Sequence, residues 1–162
     1  MIYSVDINEE YKKSRSKLIR YTLLFSLVLT VTLTADTLLV VLTKGNYTIS
    51  LIIAIAITSL FSWFAIYFFT NIYSEINARY RYFKSYDSGV KSVEEIQFIS
   101  KDDELCYVNG LYVYPIRIRS YEGLKIVDKL IYTLNKNLDY KVYDKLTITT
   151  YQRILIEAES HS

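Results

Sequence analysis

Two long stretches without charge limit what this chain can fold into more than any other feature. From Gly45 to Ser74 no residue is charged, and from Tyr21 to Thr43 the only charged side chain is Asp36. Uncharged apolar runs of about 20 residues cross a ~30 Å hydrocarbon core as helix. Ile49 to Phe69 holds twelve Ile, Leu and Phe residues. At roughly −0.3 to −0.6 kcal/mol each they favour insertion by about 5 kcal/mol. Tyr21 to Thr43 holds thirteen Leu, Val and Phe residues, and a central Asp costing about 3 kcal/mol leaves its balance favourable. A soluble protein with a buried helical hairpin is the competing reading, but core helices rarely run this long uncharged. The first run is too long for a signal-peptide core, and no A-x-A-like site follows it.

The expected architecture is an integral membrane protein: an α-helical transmembrane hairpin of two spans, then a small cytoplasmic α+β domain. A basic N-terminal segment covers 1–17, the first span 18–43, a short external loop 44–47, the second span with a cytoplasmic stalk 48–89, and the soluble domain 90–162. Lys12, Lys13, Arg15, Lys17 and Arg20 precede the first span; Arg79, Arg81 and Lys84 follow the second. The loop holds only Lys44. The positive-inside rule then puts both termini of a multi-pass cell-membrane protein in the cytoplasm. The same eight basic residues suit anionic lipid headgroups.

Asp36 is eighteen residues beyond Leu18, about 27 Å along a helix. That depth is near the outer interface, away from the midplane where ion and proton sites are found. Asp36 is expected to reach headgroups, a hydroxyl or the loop, with an intramembrane polar contact to another subunit as the alternative. Steps of four pick out Thr22, Ser26, Thr30 and Thr34 in the first helix and Ser50, Ala54, Thr58 and Ser62 in the second. Such rows allow close helix packing in lipid. Their expected use is contact within the hairpin, with surface left for a further helix.

In the stalk, Ile72, Ile76, Tyr80 and Phe83 recur at helical spacing up to Gly89. "VEEIQFIS" reads as a strand. "ELCYVNGLYVYPIRIRS" reads as a hairpin turning at Asn109-Gly110. Pro115 places its strand at an edge or bulge. Leu124, Val127, Leu130, Ile131, Leu134 and Leu138 predict a helix. Tyr140–Tyr143 and Leu146–Glu157 predict strands, with a partly helical second segment as the alternative, giving the order β-β-β-α-β-β. The core is thin for a domain of this size, which argues for a partner.

Catalytic chemistry finds little support. The only histidine, His161, is next to the C-terminus, and the single Cys106 excludes an internal disulfide. No Cys/His cluster suits zinc, and glycines 45, 89, 110 and 123 form no phosphate-cradling loop. Asp102, Asp103 and Glu104 read as a solvated turn. Tyr112 and Tyr114 beside Arg117 and Arg119 resemble a stacking platform, but ten basic against eleven acidic residues over 90–162 do not make a nucleic-acid footprint. No cofactor, metal or nucleic acid is therefore expected. Seventeen tyrosines with one Cys, one Met and one His resemble a heat-adapted composition. The expected role is a non-catalytic membrane-anchored subunit or scaffold. Its partners would be the bilayer and other membrane subunits, or copies of itself. A membrane-tethered ligand-sensing, effector or immunity protein is the alternative, and a pore of several hairpins a third possibility.

Overall fold

The computed structural model of the protein describes residues 2–42, 47–122, 125–138 and 140–160. Two units divide the chain. One is the segment Lys12–Tyr80; the other joins Met1–Tyr11 to Arg81–Ser162.

The helical unit is carried by α1 (Ile7–Leu42), α2 (Tyr47–Tyr67), a π-helical turn (Phe68–Tyr73) and the start of α3 (Ser74–Ser85). Asp6 caps α1: its Oδ1 accepts from the Glu9 backbone N–H at 3.0 Å, and Glu9 and Glu10 stand in the first turn, where the positive end of the helix favours acids. The half-buried positions Phe25, Val28, Thr32, Ala35 and Leu39 recur at three and four residues, as a helix–helix seam requires. Phe25 fills that seam, with ring centroids 5.8 Å from Phe61 and 4.7 Å from Phe68. In the π-turn, side chains take up main-chain carbonyls: Thr70 Oγ1 donates to the Ile66 carbonyl and Asn71 Nδ2 to that of Tyr67. Such local bonds compete with the regular helical ladder. The outer faces are bare. Leu23, Leu27, Leu60 and Trp63 are between 64% and 75% exposed, and both helices are long and apolar enough to cross a membrane.

The second unit is a mixed sheet. Its strands are β1 (Ile2–Ser4), β2 (Lys91–Lys101), β3 (Cys106–Val108), β4 (Leu111–Glu122), β5 (Lys125–Thr133), β6 (Lys145–Tyr151) and β7 (Ile154–Ser160). Neighbours run β7-β5-β4-β2-β6, and β6 pairs back onto β7, closing a small barrel. Only the β5–β7 contact is parallel, and it is two residue pairs long. β1 adds to the flank of β7, with Tyr3 opposite Ala158. Inside are Ile96, Phe98, Ile116, Ile118, Ile131, Leu146, Ile148, Leu155 and Ala158. A second core lies on the outside of the barrel, where Tyr82 and Phe83 of α3 meet Leu111, Val113, Tyr151, Ile154 and Ile156, with Ile7 and Tyr11 of α1 against them. β4 serves both: its even residues 116 and 118 face inward, and Leu111 and Val113 face the helix ends.

Several sequence expectations hold. The Asn109-Gly110 turn joins β3 to β4 with φ of 53° and 82°, the left-handed pair that a two-residue hairpin needs. The expectation for Pro115 does not hold: β4 is neither an edge nor bulged there, having β5 on one side and β3 then β2 on the other, and the proline is tolerated because it stands where β4 changes partner between Val113, which faces β3, and Ile116, which faces β2. Gly89 follows the end of α3, as expected.

Three further expectations need correction. Where a helix is predicted from Leu124 to Leu138, the chain forms strand β5 as far as Thr133, and Leu134 and Leu138 lie beyond it in irregular chain; Leu124 itself is outside the described residues. Val127, Leu130, Ile131 and Leu134 fit a 3.6 period, whereas as a strand only Val127 and Ile131 share the inward face, with Leu130 exposed on the other. The β-branched Ile126, Val127, Ile131 and Thr133 favour the strand, and Arg119 fixes its register by pairing with Asp128 at 2.8 Å. Tyr140–Tyr143 is not a strand. It leads into a turn where Tyr143 (φ 73°) donates its N–H to the Phe98 carbonyl and Lys141 donates to Asp144. Leu146–Glu157 is not one strand but β6 and β7, folded at Gln152-Arg153. Residues 1–17, expected as a basic N-terminal segment, contain β1 and the start of α1. The expected loop 44–47 falls largely on residues outside the described set, as does His161.

Candidate functional site

The predicted packing residues separate into two groups. Thr22, Ser26, Thr30 and Thr34 are exposed on α1. Thr22, Thr30 and Thr34 donate to carbonyls four residues back in their own helix, so their hydroxyls do not bridge to α2. Ser50 is buried and Ala54 half-buried. Ser62 bonds back to the Thr58 carbonyl. Thr58 reaches across instead: its hydroxyl donates to Asp36 Oδ2 at 3.0 Å. The other carboxylate oxygen, Oδ1, is buried with no hydrogen-bond partner among the described residues. Asp36 is thus a half-satisfied polar contact between α1 and α2.

Lys12, Lys13, Arg15, Lys17 and Arg20 are exposed along the start of α1. Arg81 and Lys84 are exposed on α3, and Arg79 is half-buried.

In the barrel unit, Asp102, Asp103 and Glu104 form the linker between β2 and β3. Glu104 donates its N–H to Asp102 Oδ1 at 3.2 Å, and Asp103 pairs with Lys101. Among the described residues no group of His, Cys, Asp and Glu could hold a metal ion. Cys106 is a half-buried free thiol. Tyr112 packs against Tyr107 in a tilted pair with ring centroids 5.1 Å apart, and the Lys101 ammonium stands 5.7 Å from the Tyr114 ring centroid.

The most organised polar site is one that the sequence did not disclose. Along β2, Glu94 has the same side as Ile96 and Phe98, so alternation aims it toward the barrel interior. Its carboxylate gathers donors from three strands. Ser92 of β2 donates to Oε1 at 3.0 Å, Ser120 of β4 to Oε2 at 3.2 Å, and Lys129 of β5 to Oε2 at 2.9 Å. The Lys129 bond, with help from the two hydroxyls, holds the Glu94 carboxyl below its ordinary range. The group rims a cavity of about 480 Å³. Ile118, Ile131 and Ile148 form its floor, and Thr150, Gln152 and Arg153 stand on the far rim. A cavity opens here because β5 pairs with β7 only at Tyr132 and Thr133, leaving the rest of β5 without a neighbour on that side. In the sequence, Lys129 falls on the misassigned helix, and only the alternation of "VEEIQF" marks Glu94 as inward.

A further set of buried tyrosines locks the outside core. Tyr82 donates to the Tyr151 carbonyl at 3.0 Å, and Tyr151 bonds Ser85. Burial, reinforced by Tyr151 and Tyr86, pushes the Tyr82 phenol well above its ordinary range.

Comparison with family models, curated proteins and solved structures finds no match to this chain.

Proposed function

We propose that this chain is a two-pass membrane protein that acts as a non-catalytic anchored subunit, its hairpin held in the bilayer and its barrel presented to partners in the cytoplasm. The carrying observation is topological. β1 precedes the first apolar helix, β7 follows the second, and the two strands pair in one sheet. Pairing of β1 with β7 supports placing the segments before the first apolar helix and after the second on one side of a membrane, and so an even number of crossings. The basic residues flanking both helices favour the cytoplasmic side. Exposure adds to this: in the most apolar 18-residue stretch of each candidate span, none of the first and 6% of the second is buried, whereas a soluble core helix would be covered. The exposed hydroxyl row of α1 is available to another helix, and the basic collar suits anionic headgroups.

Cys106, the only cysteine, supplies the test. In intact cells a membrane-impermeant maleimide should leave it unlabelled, and permeabilisation should expose it. The protein should stay with the membrane after carbonate extraction. Labelling from outside, or release by carbonate, overturns the proposal. A second reading, a membrane-tethered ligand sensor, is favoured by one observation, the polar cavity at the barrel mouth.

A further inference from the structure

We propose that the barrel mouth binds a small organic anion, a carboxylate or phosphate head on a short apolar body, with Arg153 receiving the head. The cavity is of a size used by small-molecule sites, about 480 Å³. Its floor of Ile118, Ile131 and Ile148 suits an apolar body. Its rim carries one carboxylate, Glu94, and two cations, Lys129 and Arg153. Glu94 is already engaged by Lys129. Arg153 has no ion pair among the described residues. The rim is therefore positive by one charge, carried by a planar fork that matches an oxyanion.

Backbone strain at Arg153 gives an independent argument. Gln152 and Arg153 form the two-residue β6–β7 turn with φ of 50° and 66°. Left-handed backbone at both positions is the geometry that favours Asn-Gly, and the β3–β4 turn of this same barrel uses Asn109-Gly110 for it. An arginine there is strained. Three contacts hold the turn despite that: Asn109 Nδ2 donates to the Gln152 carbonyl, the Tyr132 N–H to the Arg153 carbonyl, and the Tyr82 hydroxyl to the Tyr151 carbonyl. None of them uses the Arg153 side chain. Strain kept by its surroundings points to a use for the residue, and here Arg153 is one of the residues lining the cavity.

The head could belong to a soluble anion or to a lipid. The test uses the full chain in short-chain detergent, with isoleucine δ1 methyls labelled for NMR. n-Butyl phosphate and butyrate should shift the Ile118, Ile131 and Ile148 methyls saturably, inorganic phosphate more weakly, and n-butanol not at all. Arg153→Gly should weaken binding by at least about tenfold, by loss of a charge-assisted pair, while the melting temperature stays level or rises because the turn is relieved. In nanodiscs, shifts with phosphatidylglycerol but not phosphatidylcholine, without added probe, assign the head to a lipid. Equal spectra in the two lipids, with a response to butyl phosphate, assign it to a soluble anion. The proposal is overturned if no probe moves the three methyls, if R153G binds like the parent protein, or if R153G melts far lower. None of these outcomes touches the topology, which the Cys106 labelling tests separately.

Discussion

At the scale of single residues, two positions have requirements that composition does not reveal. Gly89 has an ordinary backbone, so its role is space rather than a left-handed turn. A Cβ there would overlap the Tyr151 ring, standing 2.7 Å from Cζ. The ring cannot retreat, because Tyr151 is buried and its hydroxyl bonds Ser85. Gly89→Ala should therefore cost about 1–3 kcal/mol, the usual penalty of overpacking, read as a lowered thermal midpoint; an unchanged midpoint would refute the contact. Glu94 is the second position. Its folded-state pKa is depressed below the ordinary 4.5. The stabilisation is therefore complete above that value and is lost as pH falls through the lower folded-state value. Thermal melts from pH 7 to pH 3 should show the parent protein losing a stabilising increment below pH 4.5. Glu94→Gln should lack that step and be less stable at pH 7 by about 1 kcal/mol, as for a partly exposed ion pair.

At the scale of elements, the α1–α2 pair tests how a half-satisfied acid is tolerated. Among the described residues Thr58 supplies the one donor to Asp36, and Oδ1 has none. Thr58→Val should loosen the pair by about 1–2 kcal/mol, because it leaves a carboxylate with no partner. Asp36→Leu with Thr58→Val should recover most of that loss, since removing both polar partners removes the desolvation cost. Unfolding of the hairpin in bilayers, measured for the single and the double variants, checks it; additive losses would exclude the coupling. Legibility follows the same physics. The two apolar helices, β2 and the Asn109-Gly110 hairpin are marked by strong local signals, charge-free length, alternation and turn chemistry. β5 is not, because Val127, Leu130 and Ile131 fit the helical period better than alternation, and long-range pairing with β4 overrides that local pattern. The Glu94 site was lost with it: Lys129 reaches Glu94 only if β5 is a strand. β1 is three residues long and is defined wholly by its partner β7, so nothing in "IYS" announces it.

At the scale of the whole molecule, the barrel unit is discontinuous in sequence. The helices are inserted between β1 and β2, and the barrel takes its outer core from the residues flanking that insertion. Tyr82 and Phe83 are 4% and 2% exposed, with Ile7 and Tyr11 packed against the same cluster. At about 1.5–3 kcal/mol for each large side chain buried, Tyr82 and Phe83 together contribute about 3–6 kcal/mol. That is a large share of the ~5–15 kcal/mol available to a domain. Residues 90–162, which by sequence look like a self-contained domain, should therefore fail to fold when expressed alone. A chain running from 81 to 162, with residues 1–11 joined through a short flexible linker after the last strand, should fold. The join is possible because β1 and β7 are antiparallel neighbours, with Ile2 opposite Glu159, so the added segment can return alongside β7 as a hairpin. Amide dispersion in two-dimensional NMR reads the outcome. A well-dispersed spectrum from 90–162 alone would mean that the helix ends cover the barrel without holding it together.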